Sequence, residues 1–92
     1  MGYKVIFRES AEKEFDALSQ GRRKALFEKL KLLEEDPAPA GTLELEGYAP
    51  LRRIKAGDAR AIYDAPDAQG RIFILRIGED HRIYDAVDDL MR

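Results

Sequence analysis

The stretch Leu51-Arg52-Arg53-Ile54-Lys55-Ala56-Gly57-Asp58-Ala59-Arg60-Ala61-Ile62-Tyr63 decides the fold. Two short runs that suit a pleated strand flank Ala56-Gly57-Asp58, a tight turn. The first strand covers Leu51 to Lys55 and the second Ala59 to Asp64. Pro66-Asp67-Ala68-Gln69-Gly70 is rich in turn residues, and Arg71 to Ile77 after it is the most apolar strand, expected to lie centrally. Strands joined by tight turns run antiparallel, so this half of the chain predicts an antiparallel sheet.

Upstream, Tyr3 to Arg8 alternates Tyr3, Val5 and Phe7 on one side, which predicts an opening strand. Ser10 is placed to cap a helix, with Glu12 and Glu14 in turns where the helix dipole favours anions. Ala11, Phe15 and Leu18 form its apolar stripe, and Ser19-Gln20-Gly21 should end it. A second helix, Arg22 to Glu35, carries Leu26, Leu30 and Leu33 on one stripe with Phe27 beside them. Asp36-Pro37 stops it, because proline cannot continue a helix and restricts the residue before it. Asp85 to Met91 predicts a short last helix capped by Asp85. The expected fold is α+β: an antiparallel sheet with an N-terminal helical hairpin on one face, in the order β-α-α-β-β-β with a short C-terminal helix. Residues 1–92 should make one domain.

Composition removes several function classes. The chain has 92 residues, no Cys and one His, so disulfides, thiol nucleophiles and Cys- or His-rich metal sites are excluded. No cofactor or metal is expected. No apolar run reaches the roughly 20 residues that cross a bilayer, and a mixed-charge helix stands where a signal peptide would be apolar. Neither a membrane partner nor export is expected. The formal net charge is -2, a total that hides a pattern. Residues 51–63 hold Arg52, Arg53, Lys55 and Arg60 against Asp58, a local excess of +3, and acidic segments bracket them.

These residues, in this order, resemble the RelE/ParE superfamily of type II toxins. The likeness is carried by Tyr3-x-Val5-x-Phe7, by the Ser10-Ala11…Phe15-x-x-Leu18 helix, and by the Leu-rich helix ending in Asp36-Pro37. Its most specific part is Gly57-Asp58-x-Arg60-x-x-Tyr63 followed by Leu75-Arg76-Ile77-Gly78, with Tyr84 beyond. The resemblance implies a cytoplasmic toxin of bacteria or archaea, held by a cognate antitoxin. The antitoxin would use the apolar groove beside the helical hairpin and, through acidic residues, the basic strand face. RelE-like members cleave mRNA on the ribosome without a metal. ParE-like members instead inhibit DNA gyrase and lack a complete cleavage set. A third alternative is a degenerate member that keeps only antitoxin binding.

Metal-free RNA cleavage needs a base for the 2′-hydroxyl, cations for the phosphorane and an acid for the leaving oxygen. Arg53 and Lys55, two apart on one strand, point the same way and match the basic pair of RelE-like members. Lys55 is a candidate base if neighbouring cations favour its neutral form. Arg60 matches the family arginine that contacts phosphate, and Tyr84 the late tyrosine that stacks on or orients the nucleotide. Each residue also has a structural alternative. Arg53 and Lys55 could be a solvated sheet face, Arg60 a partner of Asp58 or of a neighbouring acid, Tyr84 an edge-packing ring, and Arg76 a cross-strand ion pair. The chain departs from the RelE pattern at Glu79-Asp80-His81-Arg82, with acids where a basic pair is usual. In an extended segment a shift of two keeps the face, so Arg82 would stay on Tyr84's side and replace that pair. His81 is the one side chain that ordinarily titrates near neutrality.

Overall fold

The computed structural model describes residues 2–79 and 81–87, with the side chains of His81, Arg82 and Ala86 outside that description. Strand β1 (Lys4–Phe7) leads into helices α1 (Glu9–Asp16) and α2 (Gln20–Lys31), the second prolonged by a 3₁₀ turn at Leu32–Glu34. Then come β2 (Leu43–Glu44), β3 (Arg52–Ala56), β4 (Ala59–Tyr63), β5 (Arg71–Gly78) and a 3₁₀ helix at His81–Ala86. The α+β class holds, with both helices on one face of the sheet. α1 lies along β5 and β1, and α2 against β3 and β4.

The sheet is mixed rather than antiparallel. Its order is β1-β5-β4-β3-β2, and β1 runs parallel to β5, with Val5 opposite Ile72 and Phe7 opposite Ile74. Turn chemistry fixes only strands that follow one another in the chain, and β1 finds a neighbour far from it in sequence. β2 was not expected. It pairs Leu43 with Arg53 and Glu44 with Arg52, adding a two-residue edge beside β3. β5 is an interior strand, as its apolar run implies.

Helix boundaries also shift. α1 starts at Glu9 from an extended Arg8, with no side-chain cap, so Ser10 lies inside the helix. The Arg8 N–H donates to the Ile74 carbonyl at 3.0 Å, and the Arg8 carbonyl accepts from Glu12 N–H at 2.9 Å. One residue thus closes the β1 ladder and opens the helix, which leaves no room for a later cap. Ser19 caps α2 instead, its hydroxyl accepting from the Arg22 N–H at 3.3 Å.

Below the helices a single cluster joins Ala11, Leu18, Leu26, Leu30 and Leu33 to Ile54, Ala61, Tyr63, Ile72, Ile74 and Ile77. Fully burying a Leu or Ile side chain contributes roughly 1.5–3 kcal/mol relative to exposure. The Tyr63 ring is wholly buried, and its hydroxyl donates to the Pro37 carbonyl at 2.9 Å. The opposite face of the sheet has a smaller cluster of Leu51, Ile62, Leu75, Ile83 and Val87.

A bulge lets β5 serve both faces. Ile62 stands opposite Arg76 and Tyr63 opposite Ile74, so Leu75 is the extra residue. Leu75 packs in the smaller cluster, and beyond the bulge Ile77 returns to the helix-side core. Simple alternation would have put Leu75 and Ile77 on the same face.

Candidate functional site

The face away from the helices carries an open cleft of about 450 Å³. Arg53, Lys55, Arg60 and Tyr84 line it, with Leu43, Glu44, Leu45 and Glu46 along one wall. Three elements build it. Period-2 alternation on β3 buries Ile54 and Ala56 against the helices and turns Arg53 and Lys55 outward. The β3–β4 turn, where Gly57 takes a positive φ of 60°, then sets Arg60 directly opposite Lys55. The 3₁₀ helix supplies Tyr84.

Arg60 and Tyr84 meet closely. The Arg60 Nη1 donates to the Tyr84 hydroxyl at 3.4 Å, and its guanidinium carbon lies 5.8 Å from the ring centre. Arg60 is not paired with Asp58. Asp58 faces Arg22 of α2 instead, at 3.5 Å, in an exposed pair. The Arg53 and Lys55 side chains make no hydrogen bond or ion pair with other described residues. Like charges directly across a ladder oppose folding, so the Lys55–Arg60 pairing presents cations that an anion between them would relieve.

The remaining candidates fall elsewhere. Arg76 is structural, although its partner comes from α1 and not from a neighbouring strand. The Glu14 carboxylate lies 2.9 Å from its Nη2 and accepts from its Nε, and also accepts from the Ile77 N–H at 3.0 Å. The segment carrying Arg82 is a 3₁₀ helix that already begins at His81, with Asp85 inside it. It is not the extended segment on which the expected placement of Arg82 beside Tyr84 depended. The Arg82 side chain, Asp80 and residues 88–91 of the expected last helix lie outside the described residues. Glu79 is exposed at the end of β5.

Leu43, Glu44, Leu45 and Glu46 were not picked out from sequence. Their place on the wall depends on β2 pairing with β3 across a long loop, and only the acidic character of the segment hinted at a role. Among the described residues no cluster of three or more His, Cys, Asp or Glu could hold a metal ion. No helix among them is long and apolar enough to cross a membrane.

The chain is similar to known toxins over most of its length. Residues 5–84 match the family model described as the ParE toxin of the type II toxin-antitoxin system, parDE. No curated protein sequence matches. Among solved structures, an E. coli RelE toxin mutant in the free state is 25% identical, with 100% of both chains covered and a TM-score of 0.84. RelE from the archaeal RelE–RelB complex of Pyrococcus horikoshii is 28% identical over 89% of this chain and 99% of that one, with a TM-score of 0.75. The intact E. coli RelBE toxin–antitoxin complex gives 29% identity over 87% and 99%, with a TM-score of 0.74. The match of the family model across both helices, all five strands and Tyr84, on a RelE-like fold, shows that this chain belongs to the ParE toxin family of the RelE/ParE superfamily, the toxins of type II toxin–antitoxin systems.

Proposed function

We propose that this toxin is a RelE-type, metal-independent mRNA endonuclease that acts in the cytoplasm on ribosome-bound message. The observation that carries the reading is the convergence of Arg53, Lys55, Arg60 and Tyr84 in one cleft. In the proposed reaction the RNA 2′-hydroxyl attacks the adjacent phosphorus. The bond to the 5′ oxygen breaks, and that oxygen takes a proton from water in the open cleft, leaving a cyclic phosphate and a 5′-hydroxyl. Lys55 takes the proton from the 2′-hydroxyl. Arg53 and Arg60 hold the equatorial oxygens as charge builds on them, with the planar guanidinium suited to paired oxygen contacts. Tyr84 offers a ring face on which a base stacks, and its contact with Arg60 ties base position to phosphate position. Nucleophile and phosphate belong to one strand, so positioning supplies much of the acceleration.

A cognate antitoxin is the expected protein partner, as solved complexes pair RelE with RelB. An apolar groove of about 200 Å³ lined by Val5, Phe7, Phe27 and Leu30 suits an amphipathic antitoxin segment, and Phe27 is half exposed there.

Glu44 and Glu46 on the wall and Glu79 at the end of β5 favour a second reading, a ParE-like inhibitor of DNA gyrase, because acids near a phosphate site oppose binding. The two separate in one experiment. Purified toxin is added to in vitro translation of a reporter mRNA, 5′ ends are mapped, and supercoiling by gyrase is followed in parallel. New 5′ ends that disappear with Arg60→Ala support the nuclease. Intact message with blocked supercoiling supports the gyrase inhibitor and overturns the first reading.

A further inference from the structure

Gly78 is the last residue of β5 and stands directly opposite Arg60 in the ladder. Its backbone is not in the left-handed region, so conformational freedom is not what a glycine supplies there. Space is. A Cβ at Gly78 would lie 3.3 Å from the Ile83 Cβ, tighter than side chains ordinarily pack, and in ordinary contact at 3.7 Å with its Cγ1 and Cδ1, so Ile83 would have to give by a few tenths of an ångström. Ile83 is buried with Leu51, Ile62, Leu75 and Val87, so it has little room to give. Tyr84 follows Ile83 in the same 3₁₀ helix and reaches Arg60.

We infer that Gly78 is a positioning residue of the cleft. Its missing side chain lets the 81–86 helix settle against β5, and that close approach seats Tyr84 on Arg60. Gly78 touches no substrate; it acts through Ile83. Its neighbour Ile77 is pinned by the Glu14 carboxylate, so β5 is anchored on the far side and the added methyl must push on Ile83. The inference rests on the nuclease reading only for its effect on catalysis. The seating of Tyr84 can be measured without any RNA.

The experiment is Gly78→Ala in the full chain, read by NMR and by message cleavage. The Tyr84 ring resonances and the Arg60 Nε–H cross-peak should shift, while amides of α1 and α2 stay in place. Cleavage should fall by about tenfold, in keeping with the cost of a sub-ångström to ångström misplacement of a site group. In a Tyr84→Ala background the same substitution should cost less than about twofold, because a residue acting through Tyr84 has nothing left to displace. Ile83→Ala approaches the contact from the other side, removing its buttress without adding an atom, and should also unseat the Tyr84 and Arg60 resonances. It serves if Gly78→Ala fails to fold. Unchanged Tyr84 and Arg60 resonances in a folded variant would overturn the inference, and so would equal losses of cleavage in the presence and absence of Tyr84. If the wild-type chain cleaves no message, the nuclease reading fails and the resonances alone decide the role of Gly78.

Discussion

The two faces of the β3–β4 hairpin treat their side chains in opposite ways. On the helix face Ile54, Ala61 and Tyr63 are buried in a cluster that also takes Leu26, Leu30 and Leu33. On the other face, within the same five-residue strands, Arg53, Lys55 and Arg60 crowd together around a cleft. Arginines outside the cleft behave differently again. Arg76 is held by Glu14, and Arg71 by Asp67 at 2.7 Å. The contrast separates cations that finish the fold from cations the fold presents. Where a carboxylate is built in beside the guanidinium, the role is structural. Where the ladder sets cations against each other beside a cleft, they are placed to meet an anion from outside.

Breaking the helix face should have the largest effect on stability. Leu26 is wholly buried, so Leu26→Ala should destabilise by about 2–5 kcal/mol, the transfer loss plus a cavity term. Urea unfolding measures it, and a loss under 1 kcal/mol would mean that this face is not the main core.

Glu14→Ala should come next. It strands Arg76 and leaves the Ile77 N–H without its acceptor, in a partly buried place, at a cost of about 1–3 kcal/mol. Hydrogen exchange at the Ile77 amide should accelerate ahead of its neighbours in β5. Unchanged exchange there would show that Glu14 does not cap this stretch of edge.

These two predictions differ in how far the sequence announced them. The spacing of Leu26, Leu30 and Leu33 made one face of α2 readable, and alternation on β3 placed Arg53 and Lys55 together. The turn at Gly57 was also legible, and with it the return of Arg60 toward Lys55. Contacts between distant segments were not. Nothing in Glu14 points to Ile77, nothing in Tyr3 to Phe7 names β5 as the parallel neighbour, and two residues of β2 carry no periodicity to read. Ser10 offered good capping chemistry, but the β1 ladder, not the hydroxyl, fixed the start of α1 at Glu9 and left Ser10 inside the helix. The bulge at Leu75 was hidden for a related reason, since it reconciles two cores that only tertiary structure defines.

A smaller effect is expected at the β4–β5 turn. Asp67 accepts from the Arg71 N–H, the Arg71 Nε and the Gln69 N–H. The Arg71 backbone N–H holds its carboxyl below the ordinary value of 3.8; desolvation opposes it, and the Arg71 guanidinium and the Gln69 N–H add to the lowering. A carboxyl lowered in the folded state contributes stability that is complete above the unfolded value and is lost as pH falls through the lower folded one. Asp67→Asn should therefore lower the melting temperature at neutral pH, and the difference from wild type should shrink below pH 3.8. A difference that grows on acidification would reverse the assignment.

The smallest change in stability should come from the cleft itself. Arg53→Ala with Lys55→Ala should move unfolding by no more than about 0.5 kcal/mol, and the relief of like-charge crowding could make the change stabilising. The same pair should flatten the salt dependence of RNA binding by about 1–2 in the log–log slope, since up to two phosphate contacts are lost. A steep slope that survives the double substitution would place the phosphate contacts elsewhere.

The central claim is that the cleft presents cations for chemistry while Arg76 serves the fold. One measurement tests it most directly: message cleavage and unfolding midpoint, determined side by side for Arg60→Ala and Arg76→Ala. The account predicts that Arg60→Ala loses cleavage by about 100-fold or more, as for removal of a transition-state donor, and keeps its unfolding midpoint within a few degrees. Arg76→Ala should instead lower the midpoint and, below it, still cleave. Arg76→Ala abolishing cleavage in a folded chain while Arg60→Ala cleaves normally would contradict the account.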